Sequence, residues 1–393
     1  MSNVSSTTVL RIVFFLSVYS IIGISSLKIE DKKQTLIQTS FTFDIDSLIS
    51  EIKLNGWNEI SFDKYSFYLL NTQTDLIYEI DRVNSLPGSF ERSCLQALIL
   101  KKELRFNEMF DSLYVLLPQK SGYFNFYENL VFAANATGRL SLLESEINPL
   151  LSGLIQAAKG EYENAKDEYF KALEKDQSDY NIFYQISYMY RNTGDYDKSL
   201  NVLNDAVSMA KGDERFLIKA AIAEGSLNYL SGNYLRAEKL YEKALAASKK
   251  IYDRQNEIVS VVNLGILHDL EGDVEKARKY FNDGLTLAQK IKDIDLEAFA
   301  YSELGVSYTF TNDIINAKEN YLKSFLIYKK INDRLRLSLL SENIGKIYTY
   351  LFDYKSAIKY YEQGAEYAGE NKRARAVNIM GMADVYSNLS NYS

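Results

Sequence analysis

The sequence predicts an all-α solenoid, in which antiparallel pairs of helices stack one on the next. The first observation behind this prediction is a small residue that recurs through the second half of the 393-residue chain, at steps of 34, 38, 40, 40 and 40 positions. A fixed period of about 20 to 50 residues is typical of folds built from repeated structural units. The recurring residues are Ala165, Ser199, Ala237, Ala277, Ala317 and Ala357.

Two further positions keep their residue type in each unit. A small residue lies twelve positions before each recurring residue, and a large apolar residue, usually aromatic, lies four positions after it. Helices approach closely only where side chains are small, and large side chains fill the spaces beside such crossings. The pattern therefore predicts helix pairs that cross at the small residues. These are Gly153, Ser187, Gly225, Gly265, Gly305 and Gly345, and the large residues are Tyr169, Leu203, Tyr241, Phe281, Tyr321 and Tyr361.

The turn between the two helices of a unit has its own signature, which occurs at Gly194-Asp195, Gly232-Asn233 and Gly272-Asp273. Glycine adopts the left-handed conformation that commonly ends a helix. The Asp or Asn that follows is expected to cap the second helix by accepting a backbone N–H bond. Phe352 occupies the glycine position in the sixth unit, so that turn is expected either to differ or to be strained.

Taken together, these positions resemble the tetratricopeptide repeat, in a long form with units of 40 residues. The resemblance covers residues 146–393, with about six units and a partial seventh. It implies a superhelix whose first helices line a concave groove that binds protein partners. The first-helix pattern is carried by Leu264-Gly265, by Leu304-Gly305 with Tyr308, by Ile344-Gly345 with Tyr348, and in the partial unit by Met382-Ala383 with Tyr386.

Residues 27–145 follow the repeat poorly and are predicted to form divergent helical repeats that cap the N-terminal end of the array. Ala97 falls at the small position of one divergent unit, and Gly138 falls in the turn of another, shortened one. Asn148-Pro149 fits an N-cap followed by a first helical residue, and is expected to start the regular array.

The N-terminal residues 1–26 are predicted to be a signal peptide or a membrane anchor. Residues 12–24 are apolar, Arg11 precedes them, and Ser25-Ser26 follows. This stretch is shorter than the roughly 17–25 residues of a membrane span, and it fits the apolar part of a secretory signal. We therefore expect an exported protein, periplasmic or extracellular, or a membrane-anchored one whose repeats lie outside the cytoplasm. A helix of the fold is the third interpretation.

The composition offers little for catalysis or nucleic-acid binding. His268 is the only histidine and takes a position filled by tyrosine in other units, so it is expected to pack rather than react. Cys94 is the only cysteine, which excludes an intrachain disulfide. The net charge of −7 argues against nucleic acid as a partner. We expect no catalytic residue, cofactor or metal site, and no enzyme activity.

Binding is the better-supported class of function. The leading hypothesis is a non-enzymatic scaffold that binds a peptide or a partner protein in the concave groove. The alternative is that the repeats are the sensory, partner-binding part of a truncated larger bacterial signalling protein, such as a sensor kinase or regulator. In either case the side chains expected to face the groove are Tyr184, Gln185, Tyr188, Asn263, Glu303, Asn343 and Lys346.

Overall fold

The computed structural model describes residues 45–55, 59–71, 76–87, 90–119, 124–146, 148–175, 179–369 and 371–391. Within these ranges the chain forms α-helices with short 3₁₀ turns and no β-strand. Consecutive helices pack as antiparallel neighbours, so the fold is the predicted all-α solenoid. The predicted signal or anchor segment lies outside the described residues.

Six helices precede the regular array. They are α1 (Ile45–Asn55), α2 (Glu59–Asn71), α3 (Leu76–Asn84), α4 (Phe90–Lys102), α5 (Phe106–Tyr114) and α6 (Phe124–Ala136).

Thirteen described helices make up the array, the last of them without a following helix in the described residues. They are α7 (Pro149–Lys159), α8 (Tyr162–Lys175), α9 (Tyr180–Thr193), α10 (Tyr196–Met209), α11 (Glu214–Leu230), α12 (Tyr234–Lys250), α13 (Arg254–Glu271), α14 (Val274–Ile291), α15 (Ile294–Phe310), α16 (Ile314–Ile331), α17 (Arg334–Tyr350), α18 (Tyr354–Tyr367) and α19 (Lys372–Asn391).

In five of the six units, an aromatic ring of the second helix lies over a glycine sixteen residues earlier in the first. A Cβ added at Gly265 would lie 2.6 Å from Cε1 of Phe281, and one added at Gly305 would lie 2.5 Å from Cδ1 of Tyr321. Such distances leave no room for a methyl group, which explains why the crossing position is glycine in five of six units. In the second unit Ser187 takes this position, and Leu203 replaces the ring.

The turns behave largely as predicted. Gly194 and Gly272 end their helices with φ values of 89° and 90°. Asp273 caps α14 through a 3.2 Å bond that its Oδ1 accepts from the amide of Lys276. Asn233 makes no side-chain capping bond, so the prediction of a cap there is wrong. Phe352 keeps the left-handed conformation at φ 58°, which shows that the sixth turn is strained rather than different.

The N-terminal helices share features with the regular units. Ala97 is buried in α4, which packs against α5, and Gly138 adopts φ 72° after α6. Asn148 caps α7 by accepting bonds of 3.0 and 3.2 Å from the amides of Leu150 and Leu151, as its sequence position predicts.

The N-terminal helices also contact the array almost two hundred residues later. The Oδ1 atom of Asn71, at the end of α2, accepts bonds from the amides of Arg254 (2.7 Å) and Gln255 (3.3 Å) at the start of α13. Asn135 in α6 and Asn332 after α16 each donate a side-chain N–H to the other's backbone carbonyl, at 3.2 and 2.8 Å. Successive turns of the superhelix therefore touch each other, and we call this contact the turn junction.

Candidate functional site

Most of the side chains predicted to line the concave groove are buried against other parts of the chain. Of the seven, Lys346 alone is partly exposed, and it forms an ion pair with Glu342 one helical turn away. The other six are buried within the chain, and they are Tyr184, Gln185, Tyr188, Asn263, Glu303 and Asn343.

Contacts inside the chain account for this burial. Tyr184 lies beneath the ammonium group of Lys219, with the Nζ atom 4.2 Å from the ring centre. Gln185 donates from Nε2 to Oε1 of Glu128 at 3.1 Å, which ties α9 to α6. Tyr188 has the guanidinium of Arg191 4.6 Å from its ring. The structure thus brings these tyrosines and Gln185 together on α9.

The other predicted groove residues do not gather at one point. Asn263, Glu303 and Asn343 lie one on each of α13, α15 and α17. From Gln255 to Asp269, every residue of α13 is buried. A partner can reach these side chains only where the turns of the superhelix separate, and their role in binding stays a prediction.

The interior holds a buried charged cluster that sequence reasoning missed. Arg336 forms an ion pair with Asp295, donates from Nη1 to the hydroxyl of Tyr328 at 3.0 Å, and has its Nε atom 3.5 Å from Asp333. Burial raises the pKa of Asp295 to about 6, although the charge of Arg336 opposes that rise. Asp295, Tyr328 and Arg336 lie on α15, α16 and α17, and Asp333 directly precedes α17, so the cluster joins neighbouring units rather than facing solvent.

A second charged pair lies where α4 and α6 meet the array. Burial raises the pKa of Glu128 to about 7, with the charges of Lys219 and Lys101 acting against that rise. Burial likewise lowers the pKa of Lys101. Both residues line a cavity of about 100 Å³ at the turn junction, which we call the junction cavity. No local sequence pattern predicts this cavity, because residues from distant segments form its walls.

The last described helix presents an apolar face with no helix packed on it in the described residues. Ile379, Ala383 and Tyr386 follow each other at helical spacing and are exposed, Ile379 by 48% and Tyr386 by 55%. The buried side of α19 packs against α17 and α18. We call the stripe formed by these three residues the mate face.

Comparison with complete units shows what normally covers such a face. Tyr348, which occupies the place of Tyr386 in the sixth unit, stacks on Tyr360 of the second helix with ring centres 5.5 Å apart. His268 stacks on Tyr280 at the same spacing of twelve residues and at the same 5.5 Å. His268 is therefore a packing residue, as its place in the repeat predicts.

The described part of the chain contains no group of three or more His, Cys, Asp or Glu side chains placed to hold a metal ion. Cys94 is partly buried, and burial raises the pKa of its thiol to about 12. Among the described helices, none combines the length and the apolar character that a membrane crossing needs.

Comparison with known proteins identifies the repeats. A tetratricopeptide repeat family model matches residues 216–290, and a second tetratricopeptide repeat model matches residues 180–213 and 341–371. No curated protein matches the chain.

Solved structures with a similar fold include the APC/C hetero-tetramer Cut9–Hcn1, with 14% identity and a TM-score of 0.51, over 90% of this chain and 68% of that one. A tetratricopeptide repeat protein from Parabacteroides merdae ATCC 43184 has 16% identity and a TM-score of 0.43, over 75% and 99%. A signal transduction ATPase with numerous domains and a tetratricopeptide repeat sensor, from Pyrococcus horikoshii, has 15% identity and a TM-score of 0.44, over 99% and 64%.

The glycine–aromatic crossings, the left-handed turns and the two family models agree on one architecture. This chain contains tetratricopeptide repeats, and from Ala237 onward the repeating position recurs every 40 residues.

Proposed function

We propose that this protein is a non-enzymatic scaffold that binds an amphipathic helix of a partner protein on the mate face of α19. The observation that carries the proposal is the exposure of Tyr386, whose counterparts His268 and Tyr348 are covered by a second helix. Exposed apolar stripes of this kind mark sites where another helix packs.

The repeat itself indicates the chemistry of the bound helix. In the sixth unit, the helix that covers the equivalent face brings the ring of Tyr361 over Gly345 and the ring of Tyr360 against Tyr348. A partner helix with a small residue, an aromatic residue and an adjacent aliphatic residue, spaced as Ala357, Tyr360 and Tyr361 are, would suit the mate face. Ala383 has a methyl group where Gly345 has none, so the residue placed as Tyr361 is should be smaller than a ring, as Leu203 is in the unit where Ser187 replaces the glycine.

The concave groove is the less favoured surface for this partner. Six of the seven side chains predicted to line it are buried against the chain's own helices, so a peptide would have to displace those contacts. Groove binding is therefore proposed only for a state in which the turn junction is open. An Asn263→Ala/Asn343→Ala double variant that leaves partner recovery unchanged in a pull-down would remove the groove from consideration.

The same open face supports a second candidate function. In a longer signalling protein, later residues of the same chain would cover the mate face, and the repeats would be the sensory part of that protein. The downstream reading frame separates the two candidates, since a stop codon directly after Ser393 contradicts the second one.

We also propose that the protein is exported, or anchored with its repeats outside the cytoplasm. The support is the apolar stretch at residues 12–24 with Ser25-Ser26 after it. N-terminal sequencing of the expressed protein tests this proposal. A mature chain that begins near residue 27 supports export with cleavage, and an intact Met1 on a soluble product contradicts both forms.

A labelled peptide with the sequence of residues 196–209 tests the mate face directly, because this second helix of the same array carries Leu203, and not a ring, at the crossing position. We expect saturable binding in fluorescence anisotropy, weakened at least tenfold, or about 1.4 kcal/mol, by Ile379→Glu. Ile315→Glu is the matched control, since Ile315 is also exposed, by 75%, on another helix. Equal affinity for both variants, or no binding to the unaltered protein, would contradict the proposal.

A further inference from the structure

The junction cavity is built by both turns of the superhelix. Glu128 and Phe132 come from α6, Tyr162 and Tyr169 from α8, and Asp333 from the residue that precedes α17. Its volume of about 100 Å³ is several times the roughly 10–15 Å³ that a single water needs on the same measure. The cavity can therefore hold a molecule of about six to eight heavy atoms.

The hydroxyl group of Tyr169 has no hydrogen-bond partner among the described residues, although the side chain is fully buried and lines the cavity. Its counterparts are bonded: the hydroxyl of Tyr241 donates to Oγ of Ser226 at 3.3 Å, and that of Tyr321 pairs with Oγ1 of Thr309 at 3.3 Å. An unsatisfied buried hydroxyl costs about 1–3 kcal/mol, so it calls for an explanation.

The charged groups of the cavity have both signs. Glu128 is the acidic group, and its Oε1 atom accepts a bond from Gln185, which also lines the cavity. Lys101, on α4, is the basic group. Burial moves the pKa of each group toward its neutral form, which means that neither charge is fully compensated inside the chain. A ligand with a single charge would attract one of these groups and repel the other.

Aromatic rings and aliphatic side chains, among them Leu154 and Leu335, form much of the remaining walls. Tyr162 and Tyr188 meet edge to face with ring centres 6.4 Å apart, and Phe132 adds a third ring. A cavity with mostly apolar walls and a few polar groups of fixed position is the usual form of a small-molecule site.

We propose that the junction cavity binds a small zwitterion of about six to eight heavy atoms, the class to which the small α-amino acids belong. The ammonium group of the ligand lies toward Glu128, its carboxylate lies toward Lys101, and the hydroxyl of Tyr169 hydrogen-bonds to it. Since the walls come from both turns of the superhelix, the bound ligand stabilises the turn junction. This site is separate from the mate face, and the two proposals stand or fall independently.

Thermal unfolding and isothermal titration with the full-length chain test the proposal. The probes are alanine, serine, threonine and valine, with acetate and methylammonium as singly charged controls. We expect at least one amino acid to bind saturably and raise Tm, and neither control ion to do so at the same concentration. The highest concentration tested is about 10 mM, ten times a Kd of about 1 mM. The proposal is wrong if no amino acid binds at that concentration, or if a control ion binds equally well.

Two tyrosine variants locate the site and keep the test independent of folding. Tyr169→Phe keeps the ring over Gly153 and removes the unsatisfied hydroxyl, so the unliganded protein should be as stable as before or more stable. We expect its Kd for the amino acid to rise about tenfold. Tyr241→Phe is the matched control and should leave Kd unchanged. If Tyr169→Phe binds as the unaltered protein does, the junction cavity is not the site.

Glu128→Gln gives the corresponding test of charge. We expect a Kd at least tenfold higher for the amino acid, because the ligand's ammonium group loses its carboxylate partner. Unchanged binding in this variant would contradict the assigned orientation and, together with an unchanged Tyr169→Phe, the proposal itself.

Discussion

The crossing of Gly265 and Phe281 provides a quantitative test of how the units are held together. A methyl group at position 265 would lie 2.6 Å from Cε1 and 2.9 Å from Cδ1 of the Phe281 ring, whereas ordinary carbon contacts begin near 3.5 Å. The ring is buried and is not free to withdraw. The change Gly265→Ala therefore requires a shift of the helix pair.

Two effects oppose each other in this variant. Overpacking of a well-packed core costs about 1–3 kcal/mol, while alanine gains about 1 kcal/mol over glycine in a helix interior. We expect a net loss of up to about 2 kcal/mol from Gly265→Ala in the otherwise unaltered protein. In a Phe281→Leu background the ring is absent, so the same change should be neutral or stabilise by up to about 1 kcal/mol.

The second unit already carries this combination, since Ser187 pairs there with Leu203 in place of glycine and a ring. Ser187 Oγ donates to the Ser199 carbonyl at 2.8 Å, and Ser199 Oγ donates to the Ser187 carbonyl at 2.7 Å. The close approach of the two helices is thus kept when the ring is replaced by a smaller side chain.

The four proteins are the unaltered chain, Gly265→Ala, Phe281→Leu and the double variant. Their unfolding in urea, monitored by circular dichroism, gives the coupling free energy between the two positions. We expect a coupling of about 1–3 kcal/mol. Effects that add to within about 0.5 kcal/mol would refute the packing explanation, because distant and independent sites add to that accuracy.

Three further predictions follow from other parts of the structure. Phe352→Gly should raise the thermal midpoint, because a left-handed residue other than glycine costs about 1–2 kcal/mol and this side chain is 71% exposed; a lower midpoint would contradict the strain. The pKa of Glu128 is raised to about 7, so the folded state binds the extra proton and stability should fall as pH rises from about 4.5 to 7, by at most about 3 kcal/mol given its partial exposure. Urea titrations across this range should show a flatter profile for Glu128→Gln, and an unchanged slope would count against the assignment. Asn71→Ala should cost about 1 kcal/mol, as the loss of a helix cap does, and should speed hydrogen exchange at the amides of Arg254 and Gln255; unchanged exchange there would rule out the contact.

The local architecture was readable from the sequence because each unit is determined by its own residues. The spacing of Gly305 and Tyr321 predicts a helix crossing, and Gly272-Asp273 predicts a left-handed turn followed by a cap; both are confirmed. Asn233 fails to cap although Asp273 does so at the same place in its unit, and the sequence pattern gives no means of telling the two apart.

The curvature of the superhelix was not readable in the same way. It results from small rotations between neighbouring units that accumulate along the array. Whether Asn263 faces an open groove or a closed interior depends on that sum, and so does the meeting of Asn135 with Asn332. The junction cavity was missed for this reason, since Glu128 and Asp333 are remote in sequence and no local pattern joins them.

The contact between successive turns is the feature on which the buried interior and the junction cavity both depend. Cross-linking of Asn135→Cys with Asn332→Cys, in a Cys94→Ser background, tests it most directly, because these two residues hydrogen-bond to each other's backbone. Under dilute oxidising conditions or with a short thiol cross-linker, we predict an intramolecular link identified by mass spectrometry of the joined peptides. A protein that is folded by circular dichroism, yet forms no such link while either cysteine alone reacts freely, would contradict the closed superhelix.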